Sequence, residues 1–238
     1  FKFESSYDQK ATAATGGGYV QPSQAWQTLD SAGGTVGNPD LNLYTFGCRF
    51  VPQFTKNISG NFEQAVQVGD RGSEDVLGWM TDWYLGYKLP VMESIQPAIE
   101  VGAYCMSGDD PATEGDEGWN PLWARYAQQE LYPFALDDYR WSNLAMPHLD
   151  LTITPCKQYK GTLAAYYLQA MEDDGPGDGK ERGWRWLFKN EFTLAEDLIR
   201  KTDKLTGHLW FEVLEPGDYY ADNMDSAYFA RWQLMYVF

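Results

Sequence analysis

The chain of 238 residues has no run of about 18 apolar residues, so it holds no segment that would cross a bilayer as a helix. That absence does not bear on crossing by strands, whose hydrophobicity is hidden by alternation. Cysteine is scarce and odd in number: Cys48, Cys105 and Cys156 are widely spaced, with no C-x-x-C pair. Neither a disulfide framework nor a zinc site is indicated, and the three read as isolated packing residues. Histidine is scarcer still, with only His148 and His208. No Ser-His-Asp set, metal-ligand spacing or nucleotide motif stands out, so the chain reads as no enzyme and as needing no cofactor. Gly16-Gly17-Gly18 is no phosphate loop, because neither Lys-Ser/Thr nor a helical pattern follows it. Basic residues are few, 18 against 34 acidic, and the net charge of -16 argues against nucleic acid or an anionic membrane surface as partner.

What the chain does have is alternation. In Ala227–Phe238, every second residue from the end is apolar or aromatic: Phe238, Tyr236, Leu234, Trp232, Ala230, Tyr228. The interleaved row carries Arg231 and Gln233 beside Phe229, Met235 and Val237. Period two over this length predicts a strand wetted on one face, long enough to cross a bilayer when tilted. Strands are expected on the same grounds at Phe1–Tyr7, Leu41–Phe54, Asn61–Gly69, Val76–Pro90, Gln96–Met106, Leu144–Pro155, Trp184–Glu196 and Leu205–Leu214. Gly161–Glu172 is less regular; there Ala164, Tyr166 and Leu168 oppose Tyr167 and Gln169. That makes roughly ten strands in one domain spanning 1–238. Since Phe1-Lys-Phe-Glu-Ser-Ser-Tyr7 already reads as a strand, the chain is expected to be the C-terminal part of something longer.

The connections sort by parity. Thr55–Gly60, Val91–Ile95, Cys156–Lys160 and Leu198–Lys204 are short and mostly carry lysines. Asp8–Asp40, Asp70–Glu74, Ser107–Asn143, Asp173–Gly183 and Glu215–Asp225 alternate with them and are mostly longer and more acidic. Short turns at one end and long loops at the other are the pattern of an outer-membrane barrel. Aromatics near strand ends, such as Trp83, Tyr87, Trp184, Trp186, Tyr228 and Tyr236, fit interfacial girdles. The fold class expected is an all-β antiparallel transmembrane barrel in a bacterial outer membrane, in contact with its lipid and lipopolysaccharide.

Ser107-Gly-Asp-Asp-Pro-Ala-Thr113, then Glu117-Gly-Trp-Asn-Pro-Leu-Trp123, Arg125 and Glu130-Leu-Tyr132, resemble the alginate-export family of outer-membrane barrels. In that family a strand ends in a Ser-Gly-Asp-Asp-Pro loop that continues to Pro-Leu-aromatic and an Arg. The resemblance runs from about Gln96 to Phe238, and 1–60 carries no matching motif. It implies a barrel of roughly 18 strands, of which this chain would supply ten and a further segment or partner chain the rest. It also implies passage of an anionic polysaccharide through a lumen lined with basic side chains.

If the apolar faces meet lipid, the other faces line the lumen. Their basic members include Arg49, Lys88, Arg185, Lys189 and Arg231, among acids such as Glu63, Asp82, Glu100, Asp150, Glu191 and Glu212. Lys or Arg on the lipid face would cost about 2–4 kcal/mol each at the midplane, which fixes the register. Arg49, Lys189 and Arg231 are expected near mid-strand, either contacting an anionic solute or pairing with neighbouring acids. Asp109, Asp110, Asp116 and Glu117 are weak calcium candidates, their spacing lacking the 12-residue loop pattern; a solvated acidic loop is the simpler reading. The function expected is a porin-like channel for polar or anionic solutes, saccharides among them. The alternatives are a soluble or surface sugar-binding sandwich using Trp119, Trp123 and Trp141, and a ten-stranded outer-membrane enzyme.

Overall fold

A computed structural model describes residues 41–92, 94–120, 131, 142–173, 175, 177–220 and 224–238, and the backbone of 2–5. Ten strands follow one another: β1 Lys2–Ser5, β2 Leu41–Phe50, β3 Ile58–Arg71, β4 Glu74–Lys88, β5 Ala98–Met106, β6 Leu144–Cys156, β7 Tyr159–Gln169, β8 Glu181–Glu196, β9 Lys204–Glu215 and β10 Ala227–Val237. Each pairs antiparallel with its chain neighbours in a single sheet of order β1 to β10. A sandwich would need a second sheet, and the described residues form one. Among them β1 and β10 do not pair with each other, so the sheet is open, as a part of a barrel wall is.

Every expected strand is present, with ends shifted by a few residues. Asp70–Glu74, expected as a loop, is mostly strand. β3 and β4 run through most of it and leave only Gly72-Ser73 as the turn, with Arg71 paired to Glu74. Gly72 takes φ 63°, the left-handed conformation that a two-residue hairpin requires and a glycine adopts without strain.

The alternation sends Phe46, Phe62, Leu77, Trp83, Leu85, Val101, Leu149, Leu151, Phe188, Phe211 and Trp232 to one exposed apolar face. A face this large and apolar is stable only against lipid or protein. The aromatics proposed for girdles, Trp83, Tyr87, Trp184, Trp186, Tyr228 and Tyr236, are all exposed on it. Cys48, Cys105 and Cys156 are free, and Cys48 and Cys156 are exposed rather than packed.

The other face is partly filled. Met106, Leu144, Met146, Ala164, Tyr166, Leu168, Leu187, Trp210 and Leu214 form a buried cluster there. Loop residues Trp119, Leu131, Tyr219 and Tyr220 join it. This corrects the reading of β7. Ala164, Tyr166 and Leu168 lie on the inner face because they pack against this cluster, and Leu163 is exposed on the other side. It also corrects part of the reading of the acids at 109–117 as a solvated loop: Asp116 is buried, whereas Asp109 and residues 111–114 are exposed. Leu77 N donates to Asp116 O and Asp116 N to Asp75 O, both at 2.9 Å. Gln67, wholly buried on β3, holds Asn120 at both ends: its Nε2 donates to Asn120 O at 2.7 Å, and its Oε1 accepts from Asn120 N at 2.8 Å. Arg182 holds the second end of the loop, donating to Ser142 O and Asn143 O, and donates also to the Tyr220 hydroxyl. Residues 115–120 thus turn back along β3 and β4, while 111–114 stand out in solvent.

Candidate functional site: the inner wall

Inward positions on neighbouring strands meet in rungs. Lys189, Trp210 and Arg231 make one rung across β8, β9 and β10. Lys189 Nζ lies 4.8 Å from the centre of a Trp210 ring and Arg231 Cζ 4.6 Å, so the buried indole is flanked by two cations. Trp210 Nε1 donates to Glu212 Oε1 at 2.7 Å, which satisfies the one polar atom of a buried indole. Lys189 also pairs with Glu191 at 3.1 Å, and Arg231 Nε donates to His208 Nε2 at 3.1 Å. Both cations sit in the interior of their strands, as expected.

Arg49 differs from expectation. It is the penultimate residue of β2, not a mid-strand one. Its Nε donates to Asn61 Oδ1 at 2.9 Å and lies 3.4 Å from Glu63, while Asn61 Nδ2 donates on to Asp82 Oδ2 at 3.0 Å. Its rung continues through Glu63, Asp82, Tyr104 and Met146. Lys88 is the last residue of β4 and is exposed.

Arg185 needs the largest correction. It faces inward, but its side chain is fully buried. The guanidinium stacks 3.8 Å over the Tyr166 ring and sits 3.7 Å from Glu212. Leu131 N donates to the same Glu212 oxygen at 3.1 Å. No solute reaches Arg185 in this arrangement; it is part of the packing beneath the loop.

The acids offered as calcium ligands are already engaged by their own loop. Asp109 Oδ1 accepts from Glu117 N, Asp110 Oδ1 from Ala112 N, and Glu117 from the Thr113 hydroxyl. Asp116 is buried, accepts from Gly118 N, and faces Arg71 Nη1 at 2.5 Å. Burial pushes its carboxyl above the ordinary range, and the Arg71 charge works against that push.

A cavity of about 480 Å³ opens at the end of the sheet that carries the turns 157–158 and 197–203. Thr154, Lys160, Glu191, Thr206, His208 and Gln233 line it, next to the Lys189–Trp210–Arg231 rung. Trp210 was not singled out from the sequence. Its signal lay there: in period two it falls between His208 and Glu212, on the polar row.

One antiparallel sheet, apolar on its exposed face and polar or loop-filled on the other, defines the wall of a transmembrane β-barrel. The chain belongs to the alginate export family, whose model matches residues 6–177. That match takes in 6–60, where no motif was legible, and stops short of the C-terminal strands over which the resemblance was read. No curated protein matches the chain. The family is one of transport proteins, and an outer-membrane barrel fits both the family and the single antiparallel sheet of the described residues.

Proposed function

We propose that this chain builds part of the wall of a channel in the bacterial outer membrane that passes polar and anionic solutes, saccharides among them. The observation that carries this reading is the Lys189–Trp210–Arg231 rung beside a cavity into which Thr154, Lys160, Glu191, Thr206, His208 and Gln233 face. Two cations held at fixed positions on rigid strands can bind carboxylates of a passing chain by charge-assisted hydrogen bonds. The hydroxyl, amide and imidazole groups of Thr154, Thr206, Gln233 and His208 suit sugar hydroxyls. The exposed apolar face meets outer-membrane lipid, with lipopolysaccharide on its outer leaflet. The open edges at β1 and β10 take a further barrel segment or a partner chain.

The test is conductance in planar bilayers with the protein extracted from outer membranes in its native assembly. Ion-selective conductance that uronate oligosaccharides block supports the reading. Folded, inserted protein that neither conducts nor responds to such oligosaccharides overturns it. The sugar-binding sandwich is not favoured: the strands form one sheet, and Trp119 is only 8 % exposed, so it offers no platform. Trp123 and Trp141 lie outside the described residues. The enzyme alternative would need Asp and His together at the outer rim, whereas His148 and His208 stand inside β6 and β9.

A further inference from the structure

A second cluster on the inner wall, away from the cationic rung, has the composition of a metal site. Glu100 on β5 and Asp150 on β6 are direct cross-strand partners. His148 stands two residues before Asp150 on the same face, paired with Gly102. One ligand atom from each of Glu100, His148 and Asp150 lies within 4.8 Å of the others. Asp82 and Glu63 continue the run of carboxylates onto β4 and β3, where they are direct partners. Like charges this close on adjacent strands repel, so the arrangement favours a bound cation.

Carboxylates alone would not make a site. The independent observation is His148. Its side chain is only 4 % exposed. It is held between Tyr166, at a ring distance of 5.3 Å, and Tyr104, at 5.9 Å. Nδ1 is 3.0 Å from Asp150 Oδ1, while Nε2 is buried with no hydrogen-bond partner among the described residues. Asp82 Oδ1, on β4, is likewise buried without one. Burying an imidazole nitrogen without a partner is costly. The chain makes room for the ring: a Cβ on Gly102 would lie 2.6 Å from His148 Nε2 and 2.3 Å from Trp83 O. The glycine is what leaves room for the imidazole against the backbone of β5.

We propose that Glu100, His148 and Asp150 bind one divalent first-row transition cation, with Asp82 supporting it from β4. One imidazole nitrogen with carboxylate oxygens suits zinc or manganese better than calcium, which takes oxygen ligands only. Three protein ligands leave a coordination position open to the lumen, where water or a solute carboxylate can bind. Such a cation offsets the acidic run in the wall and gives a passing anion a foothold on the side remote from Lys189 and Arg231. This last consequence rests on the channel reading; the metal site itself does not.

The test is titration of the folded, detergent-solubilised native protein with Zn²⁺ by calorimetry, and with Co²⁺ by visible absorption. One equivalent should bind, with Co²⁺ bands that report a nitrogen ligand. His148→Gln, Glu100→Gln and Asp150→Asn should each weaken binding by at least about tenfold. Asp109→Asn and Asp110→Asn, in the outer loop, should leave it unchanged. Heat-modifiable gel mobility establishes that each variant is folded. No stoichiometric binding by the unaltered protein overturns the proposal whatever the variants do. Binding lost only on changing the outer-loop acids also overturns it. Neither outcome bears on conductance, so this inference and the channel reading fail separately.

Discussion

Arg71 Nη1 lies 2.5 Å from Asp116 Oδ2 and ties the outer end of β3 to the loop that folds along the inner wall. The two side chains are 16 % and 5 % exposed, so the pair is largely removed from water. Removing one partner of a buried pair strands the other charge and costs about 3 kcal/mol. Arg71→Gln should therefore release residues 116–120 and speed amide exchange at Leu77 and Asp116, whose backbone bonds hold the loop to β4. The sign with pH follows from Asp116. Its carboxyl is already pushed up by burial, so its neutral form is the one the fold accepts without Arg71. The difference in melting temperature between Arg71→Gln and the parent should narrow as pH falls through that raised pKa. A difference that widens in acid would mean the pair does not hold the loop.

Lys189 and Arg231 are exposed enough to meet solutes, and Arg185 is not. Replacing Lys189 and Arg231 together by Gln should shift ion selectivity toward cations, with the folded fraction unchanged. Arg185→Gln should act on folding instead, because it leaves Glu212 buried beside Tyr166 and Leu131 without its counter-charge. The readouts are reversal potential in a salt gradient and heat-modifiable mobility. A selectivity shift from Arg185→Gln in fully folded protein would contradict its burial.

The face assignment can be tested by light. Trp83, Trp184, Trp186 and Trp232 are exposed on the apolar face, Trp232 to 73 %, whereas Trp119 and Trp210 are buried inside. Brominated acyl chains should quench Phe-for-Trp variants that retain only the first group. Variants that retain only Trp119 or Trp210 should be nearly unaffected. Strong quenching of Trp210 would place the inner row in lipid and reverse the register of β9.

These tests separate what the sequence made legible from what it did not. Strand faces were legible wherever one row must meet lipid and the other must not, as in β4, where Trp83 and Leu85 alternate with Asp82 and Tyr84. The rule failed on β7, whose inner row of Ala164, Tyr166 and Leu168 is as apolar as a lipid row because it packs into the buried cluster with Leu131 and Trp119. The infolding of 115–120 was hidden for a similar reason: Asp116 looks like a solvated acid until Arg71 and Gln67, far back in sequence, are brought to the same loop. Glu100, His148 and Asp150 could be joined only through the register of β5 against β6, which a long loop separates. Alternation places Arg185 on the inner row, but burial, which decides whether it can touch anything, has no signature in alternation.

Asp203 ends the turn between β8 and β9 and is tied to the last strand. It accepts from the Tyr236 hydroxyl on β10, and from the backbone amides of Leu198, Ile199 and Arg200 at 2.6, 2.8 and 2.9 Å. The Tyr236 hydroxyl contributes most, and together these bonds hold the carboxyl down to about 2, against about 4 for an ordinary aspartate. A depressed folded pKa means stability that is complete above pH of about 4 and lost as pH falls through about 2. Three amide donors to one carboxylate in a short turn leave the neutral acid with amides it cannot satisfy. Asp203→Asn should reproduce the acid state at neutral pH: the 197–203 turn loosens, and the amides of Leu198, Ile199 and Arg200 exchange faster. Tyr236→Phe should keep the turn closed at pH 7 but move its acid opening upward from about pH 2, since the hydroxyl that does most to hold the Asp203 carboxylate ionised is gone. Exchange of those three amides, followed by mass spectrometry from about pH 7 down to about pH 2, reads both effects. An opening midpoint unchanged by Tyr236→Phe would mean that the amides alone set the titration and that β10 is not latched through this residue.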